Sequence, residues 1–511
     1  MRHQLLNKLS VIHPFIFAIS PILFLYAHNI AEVPATDLLL PSLIVVIGTV
    51  ILLLSLRLTL KNREKAAIVT SLFLVLFFVY GHIRHLILSY WIDVTISVNL
   101  FLLPVWVLLF ATGAFLIIRT HRNFSTTTTF LNIVATTLII ISIVNISIYQ
   151  VKTANLVENR DELEGSSRNL ENAENLPDIY YIILDSYARS DTLQEFWDYD
   201  NSEFTDYLIE RGFYVATRSR SNYSSTCLSL ASSLNMEHLD FLSSGGTGED
   251  QTVPIKMIAN SRVSQFLKSK GYRFIFVRST DFGKNIQQFA EVKEYTGVFG
   301  LKVSSFTRSL IQTTALEPVA VYLGESYRKG ILYVFDALPE IAVTKGPKFI
   351  FTHVTCPHAP FVFDSEGNPI RQRILLNRDP EAWDIRDHQE YLEQLIFITR
   401  KAETLVDELL SKSKVPPIII LQSDTGPERY IAKTKHELTD ERFRQERVKI
   451  FNAYYFPEKG SDLLYESISP VNSFRVVFNL YFNGNYELLD DESYFGSLDE
   501  PTIVPPANNA D

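Results

Sequence analysis

Two aspartates stand where an apolar run stops. In the stretch LPDIYYIILDSYARSD (176–191) the run Ile179–Leu184 ends on Asp185, and in IIILQSDTGP (418–427) a second such run ends close to Asp424. Acids at the ends of two parallel strands can bind one divalent cation between them, the arrangement that activates a hydroxyl beside a phosphate. Between them lies SNYSSTCLSLASSL (221–234), a hydroxyl cluster running into small apolar residues, which reads as a loop entering a helix. There Ser224, Ser225 and Thr226 face unpaired backbone N–H groups and the positive end of the helix dipole, where a phosphoryl anion is favoured. A fourth stretch, FTHVTCPHAPFVFD (351–364), sets His353 and His358 just past the run KFIFT, in a turn stiffened by prolines. Each has an ordinary explanation on its own: helix capping for the acid and the hydroxyls, a satisfied core residue for a lone histidine. Four of them in one chain are harder to explain that way.

The elements around these residues decide the fold class. Ile179–Leu184 is β-branched and aromatic with no polar alternation, the mark of a strand buried on both faces. Arg273–Val277, Lys348–Thr352, Pro417–Leu421 and Lys449–Tyr455 are further strand candidates. Phe204–Arg211 reads as helical, and Gln389–Leu410 has the i, i+3, i+4 apolar spacing of a helix packed on a sheet. Strands alternating with helices predict a doubly wound α/β domain with a mostly parallel sheet over residues 176–511. In such sheets ligands sit past the carboxyl ends of the strands, where Asp185 stands.

The front of the chain is different. Of 511 residues, 47% are hydrophobic, but they crowd toward the amino terminus. Before Tyr149 there are nine Lys or Arg against four Asp or Glu, leaving 38 basic and 53 acidic residues for the rest. An acidic back half argues against nucleic acid as its partner. About five apolar segments of spanning length follow one another: Val11–Ala27, Leu38–Leu56, Ala66–Tyr80, Leu100–Ile118 and Phe130–Tyr149. The first lacks a small-residue cleavage site, which argues against a removed signal peptide. Arg2, Lys8, Arg57, Lys61, Arg63, Lys65, Arg119 and Arg122 fall on one side of these spans, and Arg84 alone on the other. The positive-inside rule then predicts a multi-pass protein of the cell membrane with a cytoplasmic amino terminus and an extracytoplasmic carboxyl-terminal domain. The spans lack buried carboxylates and paired broken helices, so residues 1–149 read as an anchor rather than a transporter. Residues 150–175, rich in Asn, Glu, Ser and Lys, read as a hydrophilic linker.

Strand-D, a hydroxyl-rich helix start, H-x4-H-x-P and strand-SD-x-G, in that order behind several spans, resemble the alkaline phosphatase/sulfatase superfamily. The membrane-anchored, sulfatase-like branch with lipoteichoic acid synthases and phosphoethanolamine transferases is the nearer likeness. The resemblance implies an alkaline-phosphatase-like fold for the soluble domain and a divalent metal, Mn²⁺, Mg²⁺ or Zn²⁺. By position it makes Asp185 and Asp424 metal ligands and Thr226 both a metal ligand and the nucleophile, its T-x-x-S spacing to Ser229 paralleling that of sulfatases. His358 matches a histidine that contacts the substrate anion or a second metal, with His353 as its neighbour, and Arg220 and Arg378 are candidate phosphate clamps. The implied chemistry is double displacement on a phosphodiester through a phospho-threonine, with a phospholipid or surface glycan as substrate and membrane lipids as surroundings.

The chain departs from the pattern twice. Thr226-Cys227-Leu228-Ser229 lacks the Pro and Arg of the C/S-x-P-x-R signature that precedes formylglycine, which argues against sulfatase activity. The family's Asp-His-Gly reads Asp424-Thr425-Gly426 here, and a hydroxyl is a poor ligand beside imidazole. One coordination position is thereby left open, with His436 as a candidate to fill it. The alternative to a phosphotransferase or phosphodiesterase is a weak or inactive relative with a binding or assembly role in the envelope. The two cysteines, Cys227 and Cys356, give no disulfide framework; they flank two of the motifs, and their pairing is left open.

Overall fold

The computed structural model describes residues 11–30, 33–90, 98–157, 176–242, 251–296, 304–320, 324–370, 385–427, 440–458, 462–496 and 501–505, which fall into two compact units. The first unit is helical: α1 (His13–His28), α2 (Leu39–Leu60), α3 (Arg63–Tyr90), α4 (Val98–Arg119) and α5 (Ser125–Val157). Four of these are long and apolar enough to cross a membrane, while α1 has 16 residues. The five apolar segments of the sequence are thus five helices, and the last runs on past Tyr149 to Val157. Their outer surface is apolar, with Leu58 77% and Leu100 68% exposed. A surface of that kind is suited to lipid and costly in water.

Inside the bundle, Phe17, Ala18, Ile22, Tyr26, Leu74, Phe78 and Ala135 form a core. Asn132 on α5 accepts hydrogen bonds from the Ile12 and His13 amides at 3.3 and 3.0 Å, satisfying two of the donors that open α1. Lys65 at the start of α3 donates to the Ile118 carbonyl near the end of α4 at 2.7 Å. The loops rich in Arg and Lys therefore share one end of the bundle.

The second unit is built on a seven-stranded sheet: β1 (Ile179–Leu184), β2 (Tyr214–Val215), β3 (Arg273–Arg278), β4 (Glu291–Glu294), β5 (Lys348–Val354), β6 (Ile418–Gln422) and β7 (Asn452–Tyr455). The order is β2-β7-β6-β1-β5-β3-β4. Five adjacent strands, β6, β1, β5, β3 and β4, run parallel; β7 is antiparallel to β6, and β2 to β7.

β1 is central and all six of its residues are buried. Tyr180, Ile182 and Leu184 face one core, and Ile179, Tyr181 and Ile183 face the other, the two-residue period of a strand covered on both sides. Helices Gly324–Ala342 and Ile385–Lys412 contribute Ile331, Leu338, Tyr391 and Leu395 to the first core. Helices Thr226–Asn235 and Pro470–Tyr481 contribute Leu230, Leu234, Phe474 and Phe478 to the second. The expected Lys449–Tyr455 strand starts at Asn452, because Lys449 and Ile450 form single bridges with Arg220 and Ala188 instead.

Candidate functional site

Three neighbouring parallel strands bring the chemistry together. In register, Leu184 of β1 lies beside Val354 of β5, and Ile183 beside both His353 of β5 and Gln422 of β6. Asp185, His353 and Asp424 therefore meet at the carboxyl ends of β1, β5 and β6. All three are buried, and their ligand atoms lie within 4.8 Å of one another. His353 Nε2 is 3.5 Å from Asp185 Oδ2 and 3.7 Å from Asp424 Oδ2. Those separations are long for direct hydrogen bonds. Both His353 ring nitrogens and Asp424 Oδ2 are buried without a hydrogen-bond partner, and so is Thr425 Oγ1.

Buried polar atoms left in that state cost about 1–3 kcal/mol each. Ligands at ~2.0–2.1 Å from a tetrahedral ion stand about 3.3–3.4 Å apart, close to the spacing here. The donor set, two carboxylates and an imidazole, is one that Zn²⁺ or Mn²⁺ accepts. These residues fit a divalent cation.

The backbone around the cluster is arranged to hold it. Ser186, next to Asp185, has φ +62°, a left-handed conformation that side chains other than Gly seldom adopt. It is held there from three directions. Its amide donates to Asp424 Oδ1 at 3.2 Å, its hydroxyl to Asp185 Oδ1 at 3.1 Å, and its carbonyl accepts from the Tyr391 hydroxyl at 2.8 Å. Ser423 completes the join between the two strand ends, accepting from the Tyr187 amide at 2.9 Å and donating to the Thr425 carbonyl at 2.7 Å. Phe282 lies against the His353 ring with centroids 4.3 Å apart.

The electrostatics differ for the two acids. Burial pushes the Asp185 carboxyl up, and the nearby Asp424 pushes it further, against the pull of His358, His353 and Arg447. Burial also opposes ionisation of Asp424, but His353, the Thr226 hydroxyl and Arg447 outweigh it and hold that carboxyl at about 2. Two acids forced together in a dry site ask for a positive charge between them.

Thr226 is the first residue of helix Thr226–Asn235. Ser225 occupies the N-cap position without a side-chain capping bond, so the cap leaves the amides of the first turn to other acceptors. Thr226 is half-buried, and its hydroxyl is close enough to Asp424 to lower that group's pKa. His358, also half-buried, has its amide bonded to the Asp185 carbonyl at 3.0 Å. Gln394 fixes this turn, donating to the carbonyls of Pro357 and His358 at 3.1 Å each.

Not every expected residue arrives here. Arg220 spends Nη2 on the Val504 carbonyl at 2.9 Å and on Gln445, and burial takes its guanidinium down to about 10. Arg378 and His436 lie outside the described residues. Cys227 and Cys356 are both buried, and neither is in a disulfide. Burial and the charge of Asp185 push the Cys356 thiol up.

Sequence reasoning missed Arg447. It is buried, donates through Nε to the Ser224 carbonyl at 3.1 Å and through Nη1 to the Gly426 carbonyl, and sends its charge toward both acids. Gly426 shows why the DTG turn ends in glycine: a Cβ there would lie 2.3 Å from the Glu446 carbonyl oxygen and 3.0 Å from that of Arg447. Gly426→Ala should destabilise the protein by about 1–3 kcal/mol or more, read as a lowered melting temperature. An unchanged melting temperature would show that this close approach does not exist.

No protein-family model matches the chain, and no curated protein matches it. Among solved structures it is similar to the C-terminal periplasmic domain of EcEptC from Escherichia coli in complex with Zn: 11% identity, TM-score 0.41, 67% of this chain and 94% of that one. It is also similar to the integral membrane protein lipooligosaccharide phosphoethanolamine transferase A of Neisseria meningitidis: 10% identity, TM-score 0.38, 92% of this chain and 95% of that one. A 2-O GAG sulfatase shares 11% identity at TM-score 0.39, over 60% of this chain and 70% of that one. At such identities and scores, what this chain does has to come from its own residues.

Proposed function

We propose that the protein is a membrane-anchored, metal-dependent phosphotransferase or phosphodiesterase acting outside the membrane on lipid head groups or surface polymers. The observation that carries this is the buried cluster of Asp185, His353 and Asp424, with orphaned ligand atoms, beside a hydroxyl at a helix start. Asp185, His353 and Asp424 would hold the cation, and Thr226 borders it. When bound, a divalent ion there supplies the positive charge that neutralises the acids and the phosphoryl oxygens.

The chain's own residues do the rest. Thr226 Oγ1 would give its proton to water and attack phosphorus; a P–O bond to Thr226 forms as the bond to the leaving alcohol breaks, and that alcohol takes a proton from His358 or water. An acceptor alcohol or water then displaces Thr226 from phosphorus and restores the hydroxyl. The helix dipole at Thr226 favours the anionic group throughout. His358, whose charge acts on Asp185, would contact the substrate anion or carry the proton of the leaving group. Thr425, in this reading, is no ligand, since His353 offers the imidazole.

The test uses the full chain in detergent. It should purify with a bound divalent metal and release nitrophenol from a chromogenic phosphodiester, and a chelator should abolish turnover until metal is restored. A protein that folds, binds no metal and turns over no diester under any metal would instead be the binding or assembly protein. Orientation is tested separately. The clustering of Arg57, Arg63, Lys65 and Arg119 near one end of the bundle supports a cytoplasmic location for that end. A reporter active only in the cytoplasm, fused after Asp511, should stay silent; a strong signal would overturn the extracytoplasmic site.

A further inference from the structure

The chain does not leave the helical bundle for good at its fifth helix. Residues 304–320, which in sequence fall between β4 and helix Gly324–Ala342 of the sheet unit, belong to the helical unit. We infer that this segment is a docking element, a second and non-covalent attachment of the catalytic half of the chain to its membrane bundle.

Three independent contacts carry the inference. The helix Ser305–Gln312, capped by Ser304 accepting from the Thr307 amide at 3.2 Å, turns Phe306 and Leu310 into the bundle core, where both are buried with Phe17, Ile22, Leu74 and Phe78. Four residues apart, these two side chains lie on one face of the helix.

The second contact is between backbones. The Gly81 amide of α3 donates to the Thr313 carbonyl at 3.0 Å, and the Ala315 amide donates to the Phe77 carbonyl at 2.9 Å. Phe77 carbonyl and Gly81 amide are the pair that one rung of a regular α-helix joins, and both reach across to the segment. Only glycine permits this approach: a Cβ at Gly81 would sit 2.1 Å from the Gln312 carbonyl oxygen and 2.6 Å from Thr313 backbone atoms. Irregular backbone at a membrane-spanning helix is tolerated only where its polar groups find partners in protein, and here the two backbones satisfy each other.

The third contact is ionic. Glu317 is buried at 2% exposure and pairs with Arg84 Nε of α3 at 3.1 Å while accepting from Asn99 of α4 at 3.0 Å. Asn99 in turn accepts from the Tyr80 hydroxyl at 2.8 Å. Removing one partner of such a buried pair strands the other charge. Arg84, toward the opposite end of α3 from Arg63 and Lys65, has this carboxylate as its partner. A lid or a passing surface loop needs none of these commitments. A permanent attachment uses all three: apolar anchors, a backbone seam closed by glycine, and a buried ion pair.

The experiment separates attachment by the linker from attachment by the segment, and it does not depend on the proposed activity. A protease site is placed within residues 159–174 of the full chain, and the purified protein is cut in detergent. The catalytic fragment should remain with the bundle through affinity capture and gel filtration. Gly81→Leu alters only the bundle side and Phe306→Asp only the segment side. Each should release the fragment after cutting, weakening retention by about thirtyfold or more, the effect of losing a buried anchor. Release from the wild-type protein overturns the inference, and so does full retention in both variants. Because the Gly81→Leu change leaves the sheet unit's sequence intact, a released fragment with the wild-type melting temperature excludes misfolding as the cause.

Discussion

Thr226→Ala should lower turnover of a chromogenic phosphodiester by at least about 1,000-fold while leaving the melting temperature and the metal content nearly unchanged. The expected split follows from where Thr226 sits. It is half-buried at the first position of its helix, so truncating it opens no cavity in either core. The Ser225 side chain makes no capping bond, and the helix keeps its packing through Leu228, Leu230 and Leu234. A surface-side change of this kind costs about 0.5 kcal/mol or less. Asp424 loses one of the groups that lower its pKa but keeps His353 and Arg447.

Turnover, by contrast, would lose the atom that attacks phosphorus in the proposed mechanism. Thr226→Ser keeps that atom and should retain most of the activity. Quenching the wild-type reaction in acid should leave on Thr226, in a peptide map, the phosphoryl group with the diester's remaining ester arm. If Thr226→Ala keeps turnover within about tenfold, the nucleophile is water or a neighbouring hydroxyl such as Ser224 or Ser225, and the double displacement does not occur.

How far the sequence reveals this site depends on the range of the interactions that build it. Asp185 and Asp424 are legible because a strand buried on both faces leaves an unmistakable apolar run, and an acid at its end stands out. Thr226 is legible because helix starts carry short-range signals. The grouping of strand ends is less so: the pairing of β1 with β5 and β6 joins residues far apart in the chain, and only the rule that parallel sheets bind at their carboxyl edge anticipates it.

Arg447, Ser186 and Gln394 carry no local mark. Arg447 is one arginine in the charged helix Asp440–Val448, and its role comes from its reach to Ser224 and Gly426. Gln394 reads as one more polar residue on an amphipathic helix until the fold turns it onto the His358 loop. The edge strand β4, EVKE, has none of the apolar bias that betrays a central strand. By its place in the chain the segment 304–320 falls within the 176–511 range; Phe306 and Leu310 are two apolar residues on a short helix, and nothing local says which core receives them.

The motif DTG, read alone, leaves the proposed metal site one imidazole short at Thr425, and in the proposed site His353 of β5 would supply it. His353→Ala should therefore strip the metal, weakening affinity by more than the roughly 10–100-fold that follows loss of a group merely supporting a ligand. Thr425→His should fail to tighten it. Thr425 is fully buried, and its turn is closed by Ser423 bonding its carbonyl and by Gly426 packed beneath the Glu446 and Arg447 carbonyls. A larger ring there has to displace one of these, at about 1–3 kcal/mol. His353 needs no such accommodation: its ring is already set against Phe282, and Nε2 stands 3.5 and 3.7 Å from the two carboxylates.

Metal content by mass spectrometry and melting temperature with and without chelator report on this without reference to turnover. A ligand at 100 times its Kd stabilises the folded state by about 2.7 kcal/mol, so the wild-type protein should melt several degrees lower once stripped. His353→Asn keeps a polar side chain of similar size and should lose that chelator-sensitive increment while still melting cooperatively. Should His353→Ala keep its metal, and Thr425→His bind it more tightly than the wild type, the site would follow its sequence motif. His353 would then be returned to the role of a neighbour of the substrate anion.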